Sequence, residues 1–227
     1  NSTKTIYIYY GKSDATSQSN IDNTMDAGLR YFYYDGTNFN TYQGTDIDTN
    51  INHDWSTGTV QINANSWENQ SDTVSIRWEG WVKNKGSGSH TFYVTFDDGQ
   101  RHYVPENNVV VDNWVEQSPT EKSAAYSFSV PIPIKYTWYE NGGGATAKLG
   151  WAPADGSGKV YPIPSTYLRC RKYTSPEPTT SLYAEQNNYS FNYRRVVTID
   201  NTSNSNNLYN YQVSLTFDTS DTNRFHS

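Results

Sequence analysis

The sequence predicts an all-β protein built around an antiparallel β-sandwich, on three observations. Apolar residues recur with a period of two along most of the chain and scarcely anywhere with a helical period. The 227 residues include 20 Tyr, 7 Trp and 8 Phe, so a core here is made of aromatic and β-branched side chains, which suit sheets. Turn-forming clusters punctuate the runs: "NKGSGS" (84–89), "ENGGG" (140–144) and "ADGSGK" (154–159).

Taken in order, "KTIYIYYG" (4–11) reads as a strand with apolar or aromatic residues on both faces, followed by polar "KSDATSQSN" (12–20). Residues 21–171 read as a continuous series of strands. In "DTVSIRWEGWV" (72–82), Val74, Ile76, Trp78 and Val82 share a face. In "TFYVTFDDG" (91–99), Phe92, Val94 and Phe96 do the same, and then Asp97 and Asp98 stand side by side. "AYSFSVPIPIKYTWYE" (125–140) reads as one strand with an inward set of Tyr126, Phe128, Val130, Ile132, Ile134, Tyr136 and Trp138. Pro131 and Pro133 fall on the opposite parity and cannot donate to a ladder, which predicts an edge or a bulge there. "ATAKLGW" alternates Ala145, Ala147, Leu149 and Trp151. "KYTSPEPTTS" (172–181) has the composition of a semi-rigid linker. Residues 182–227 add "RRVVTID" (194–200) and "YQVSLTF" (211–217), the start of a second, incomplete β domain. Residues 1–20 would be the terminal strand of a preceding one.

Charge and composition narrow the function classes. A net charge of −6 and a pI near 5.1 disfavour nucleic acid and anionic membranes, and no run of Lys or Arg opposes that. No apolar run reaches transmembrane length and no signal peptide is present, so the expectation is no membrane insertion in this fragment. Cys170 is the one cysteine, which rules out an intramolecular disulfide framework. It is expected to be a small, half-buried residue without chemistry of its own, so that Cys170→Ser leaves folding and binding unchanged. Sequons at Asn1, Asn69, Asn188 and Asn201 would permit N-glycosylation of an exported chain.

Motifs through most of 28–168 resemble the PA-14 domain, the β-sandwich lectin module of anthrax protective antigen, fungal flocculins and many glycosidases. They are "GLRYFYYDGTNF" (28–39), "SIRWEGWVKNKGSGSHTFYVTFDDGQRHYV" (75–104), "VVDNW" (110–114), "YTWYENGGGATAKLGW" (136–151) and "IPSTYL" (163–168), in family order and spacing. The resemblance implies that Asp97 and Asp98 flank a cis peptide bond and together bind one Ca²⁺. It further implies that Asn141 adds a side-chain oxygen and that Gly143 and Ala145 offer carbonyls. Calcium takes six to eight oxygens, and a partly filled shell leaves room for the vicinal hydroxyls of a sugar. Asp97, Asp98 and Asn141 are therefore the expected carbohydrate-binding residues. Asp97-Asp98-Gly99 also reads as an ordinary tight turn, since Asp and Gly are turn residues. "ENGGG" departs from the fungal loop, which carries bulkier residues; it leaves backbone free to wrap an ion but offers no side chain to select a sugar.

Other constellations point away from catalysis. His53, His90, His102 and His226 have no ligand spacing. Glu68, Glu79, Glu106, Glu116 and Glu140 offer no pair singled out for glycoside hydrolysis. Trp55, Trp78, Trp114 and Trp151 read as packing residues rather than a sugar platform. The expectation is thus a non-enzymatic, extracellular, surface-displayed module binding glycans or cell-surface polysaccharide through calcium. The alternatives are a structural repeat of a stalk, sheath or filament without sugar binding, or an accessory module of a larger secreted hydrolase. Both flanks resemble parts of a domain of unknown function common in archaeal and bacterial surface proteins, its closing strand at the start and its opening strands at the end. Residues 4–10 are accordingly expected to pair with strands of the type at 192–199 and 211–217, supplied by the next repeat, by another subunit or by this chain's own C-terminal segment, with a neighbouring copy of the same protein the favoured source.

Overall fold

The structure, a computed structural model, describes residues 3–10, 20–172, 179–187, 193–200 and 202. They form two compact units, Asp26–Cys170 and a unit made from both ends of the chain.

In the terminal unit, β1 (Thr3–Tyr10) is followed by a single helical turn, α1 (Ile21–Thr24). Asn20 caps that turn: its side-chain oxygen accepts the N–H groups of Asp22 and Asn23 at 3.0 and 3.2 Å.

The central unit contains twelve strands. β2 is Asp26–Ala27, β3 Leu29–Asp35, β4 Thr41–Asp48, β5 Asn52–Ser56 and β6 Val74–Val82. β7 is Gly88–Asp97, β8 Gly99–Tyr103, β9 Val109–Asn113 and β10 Thr120–Phe128. β11 is Ile132–Glu140, β12 Ala145–Ala152 and β13 Leu168–Cys170. One sheet runs β10-β7-β12-β5; the other runs β2-β13-β6-β11-β8-β9, with β3 pairing β6 and β4. All of these pairings are antiparallel.

Alternation builds the core. Val74, Ile76, Trp78 and Val82 of β6, Phe92, Val94 and Phe96 of β7, and Ala145, Ala147, Leu149 and Trp151 of β12 are all buried. Each large apolar side chain removed from water in this way contributes roughly 1.5–3 kcal/mol.

The single strand expected over 125–140 is two strands in different sheets. β10 pairs with β7 in the first sheet and β11 with β6 and β8 in the second. Val130, expected inward, is 62% exposed at the crossover. Missing N–H donors explain this: a ladder cannot continue through Pro131, and Pro133 sits in β11 beyond the stretch (Lys135–Tyr139) that β8 covers.

The chain also differs from the expected boundaries at its ends. β14 (Thr179–Asn187) begins inside the segment read as a linker, because Thr179, Thr180 and Ser181 join a ladder with β15 (Tyr193–Asp200). β1 pairs with β15 over its whole length, from Thr3↔Asp200 to Tyr10↔Tyr193. The partner expected from a neighbouring copy is therefore supplied by the same chain, as a three-stranded sheet β1-β15-β14. The strand expected at 211–217 lies outside the described residues.

Cys170 lies at the end of β13 and is 1% exposed, not half-buried. Burial pushes its thiol up to about 11, against the opposing pull of Arg30 and Arg169. A serine hydroxyl there would be buried too, so Cys170→Ser is no longer expected to be silent. A thiol reagent added to the native protein should label Cys170 only at the rate of unfolding. Rapid stoichiometric labelling would contradict its burial.

Candidate metal centre

Two crossovers between the sheets meet at one end of the sandwich. β7 leaves the first sheet at Asp97 and β8 enters the second at Gly99, so Asp97 and Asp98 form the corner. The peptide bond between them is cis. β11 ends in the second sheet at Glu140, and residues 141–144 carry the chain back to β12 in the first. Register brings the corners together: Tyr139 pairs with Gly99, and Thr146 with Asp97. Gly99 is required by close approach, since a Cβ there would lie 2.1 Å from the Tyr139 ring.

The result is a cluster of three buried carboxylates. One oxygen from each of Asp97, Asp98 and Glu140 lies within 4.8 Å of the others. Asp98 is held by two backbone donors: Gln117 N–H to Oδ1 at 3.1 Å and Asn141 N–H to Oδ2 at 2.9 Å. The Trp138 indole donates to the Asp97 carbonyl at 2.9 Å. Glu140 is fully buried, and neither of its oxygens meets a donor in hydrogen-bonding geometry. The electrostatics reflect crowding. Burial, then the charges of Asp98 and Asp97, push Glu140 up to about 8; Gly142 N–H, close by but outside bonding geometry, opposes this. Burial, then Asp98 and Asp54, push Asp97 up to about 6.

The structure thus joins the two expected aspartates and adds a third carboxylate. The remaining expected residues line the return loop. Asn141 turns its side-chain amide to Glu116 Oε1 at 2.7 Å. Gly143, at φ +106°, donates its N–H to Asp72 Oδ1 at 3.2 Å. Ala145 is buried opposite Ser56 at a register shift between β12 and β5. Glu140 had a signal in the sequence: it continues the inward parity of Ile134, Tyr136 and Trp138, where an acid is out of place. Aromatic rings flank the cluster. Tyr139 packs on Trp114 at 4.7 Å, Trp114 on Phe39 at 5.8 Å, and Trp138 on Trp55 at 5.3 Å. Trp78 and Trp151 are core residues, whereas Trp55 and Trp114 remain partly accessible.

Titration of this cluster has a definite sign. Asp97 and Glu140 hold protons more tightly folded than unfolded, their ordinary values being 3.8 and 4.5. Their contribution is therefore complete below about pH 4 and is lost as pH rises through about 6 and about 8. His102, pushed by burial from 6.5 to about 3, acts oppositely, taking away stability as pH falls through that window. In chelator, thermal melts should show stability declining from mildly acidic pH to pH 8.5. Saturating calcium should flatten that decline, because the ion binds the ionised carboxylates. A decline equally steep with and without calcium would separate the cluster from metal.

The PA14 domain family matches residues 26–163 of the chain. Anti-sigma-I factor RsgI3 of Acetivibrio thermocellus is 32% identical over 149 residues, a match covering 65% of this chain and 22% of that protein. Among solved structures, an anti-sigma factor domain-containing protein aligns with a TM-score of 0.59 at 31% identity, over 70% of this chain and 54% of that one. The PA14 sugar-binding domain of an RTX adhesin aligns with a TM-score of 0.50 at 15% identity, over 63% of this chain and 98% of that one. The last is a likeness of fold alone. The chain spans about a fifth of the curated relative's length.

Proposed function

The chain belongs to the PA14 domain family, and from that premise we propose that it is a calcium-dependent carbohydrate-binding module. The observation that carries the reading is the cluster of Asp97, Asp98 and Glu140, whose third carboxylate is buried without a partner. Three acids that share a point rather than face each other across a gap are arranged for one cation. Calcium suits the site because it accepts carboxylates and backbone carbonyls with loose geometry. Asp97, Asp98 and Glu140 would hold it, and carbonyls of the 141–145 loop, which leaves Glu140 and passes Asp97 at Gly144, would add to its shell. Vicinal sugar hydroxyls would complete the shell, and the faces of Trp55 and Trp114 left uncovered by His53 and Arg101 would meet the sugar's apolar side.

The sugar-binding adhesin neighbour shares the fold that this reading requires, and extracellular display of the module is part of the same proposal. A second reading is favoured by the 32% identity to the anti-sigma-I factor RsgI3: the same site would belong to a longer regulatory protein rather than to an adhesin. Both readings use one site and differ in what the rest of the protein does.

Calorimetry with calcium after chelator treatment, followed by glycan titration with and without calcium, tests the proposal. The parent should bind one calcium ion per chain, and Asp97→Asn/Asp98→Asn, which removes direct ligands, should lose more than the roughly 10–100-fold that disturbing an outer-shell partner costs. Calcium binding equal to the parent's in the double variant would refute the assignment. Glycan binding indifferent to calcium would refute the sugar's place on the ion.

A further inference from the structure

A second polar feature lies inside the sandwich. Side chains alternate along a strand, so Gln100 and His102 of β8 point the same way. Register sets Gln100 opposite Trp138 and His102 opposite Tyr136 on β11. This is the inner face, and all four side chains are fully buried.

Five polar atoms in this column have no hydrogen-bond partner: both side-chain atoms of Gln100, both ring nitrogens of His102 and the Tyr136 hydroxyl. The Lys135 backbone lies close enough to His102 to oppose part of the effect of burial, yet outside bonding geometry. The His102 and Tyr136 rings stand 6.0 Å apart at 74°, and Phe92 lies 5.2 Å from His102. The rings are thus splayed rather than stacked, and Gln100 stands one position along the same face of β8.

Burying a polar group unpaired costs about 1–3 kcal/mol. Five such atoms would consume a large share of a domain's whole margin of about 5–15 kcal/mol. A partner must therefore both donate and accept, because an amide, a neutral imidazole and a phenol each need a different combination. It must also be small and uncharged. Water meets every condition, and polar lining of this kind is what retains it in protein interiors.

We propose that ordered water, on the order of two molecules at about three hydrogen bonds each, binds between Gln100, His102 and Tyr136 in the core. The site requires no metal and stands or falls independently of the calcium reading. It gives β8 a hydrated inner face immediately beyond the Asp97–Asp98 corner.

Magnetic resonance on the calcium-free, isotope-labelled parent decides the matter. Cross-relaxation from water to the Gln100 side-chain amide protons and the His102 ring protons is expected, with the sign of a long-lived complex. Absence of those signals, with the same protons seeing only protein neighbours, would overturn the proposal. Water-oxygen relaxation dispersion gives a second measure. Gln100→Met/His102→Leu should reduce the long-lived water signal by about two molecules, and an unchanged signal would also overturn it. If that variant does not fold, the measurement on the parent stands alone.

Discussion

In calcium-free buffer at pH 9, Glu140→Gln should melt at a higher temperature than the parent, and in saturating calcium at a lower one. The first half follows from the position of Glu140, fully buried beside Asp97 and Asp98 with no hydrogen-bond partner. Its carboxyl is pushed from 4.5 to about 8, so at pH 9 the folded chain carries a charge it disfavours. At about 1.4 kcal/mol for each tenfold change in proton affinity, neutralising it relieves a few kcal/mol. The amide's own unpaired N–H groups take back about 1–3 kcal/mol. A net gain on the order of 1–3 kcal/mol remains, or several degrees in a unit of this size. The second half follows from mass action. A ligand at a hundred times its Kd stabilises the folded state by about 2.7 kcal/mol, and a site short of one carboxylate forfeits much of that. The reversal of sign separates a ligand from an ordinary buried acid. If Glu140→Gln shifts the melting temperature in the same direction in both buffers, Glu140 does not hold the ion.

The signal at Asp97 and Asp98 is strong and that at Glu140 faint, and the difference comes down to range. Two adjacent acids closing the Phe92-Val94-Phe96 strand are anomalous within a few residues, and so invite a question about what they hold. Glu140 is one acid at the end of one strand. Its meaning depends on β8 lying beside β11, a pairing that joins Tyr139 to Gly99 across forty residues. The same limit applies to the fold. The alternation of β6, β7 and β12 is local and reads directly. The prolines at 131 and 133 report only a missing donor, which an edge, a bulge and a change of sheet satisfy equally; the tertiary structure selects the last. The pairing of β1 with β15 joins the two ends of the described chain, and no local pattern distinguishes it from pairing with another copy.

Glu68→Ala is expected to be strongly destabilising, at about 3 kcal/mol or more, because it strips several buried donors of their acceptor at about 1–3 kcal/mol each. Residues 57–73 join β5 to β6 without a strand or helix, and a connection of that length keeps a fixed shape only if something organises it. Glu68 does so while fully buried. Its Oε1 accepts the Tyr31 hydroxyl at 2.5 Å and Ile62 N–H at 3.3 Å. Its Oε2 accepts Asn65 N–H at 2.8 Å and Asn63 N–H at 3.1 Å. Alanine would leave these donors without an acceptor and open a cavity beside them. The neighbouring Trp67 packs on Tyr31 and Tyr33 at 5.8 and 5.7 Å, so the loss would spread into the β3 face of the core. It would also reach the loop beside the carboxylate cluster, because Asp72 in the same loop accepts Gly143 N–H. Urea denaturation with protease digestion should therefore show a lower midpoint and new cleavage within 57–73. Glu68→Gln, which keeps one acceptor and the same shape, should lose less. If Glu68→Ala stays within about 1 kcal/mol of the parent, as most surface substitutions do, the loop is held by its aromatic contacts and the carboxylate is incidental.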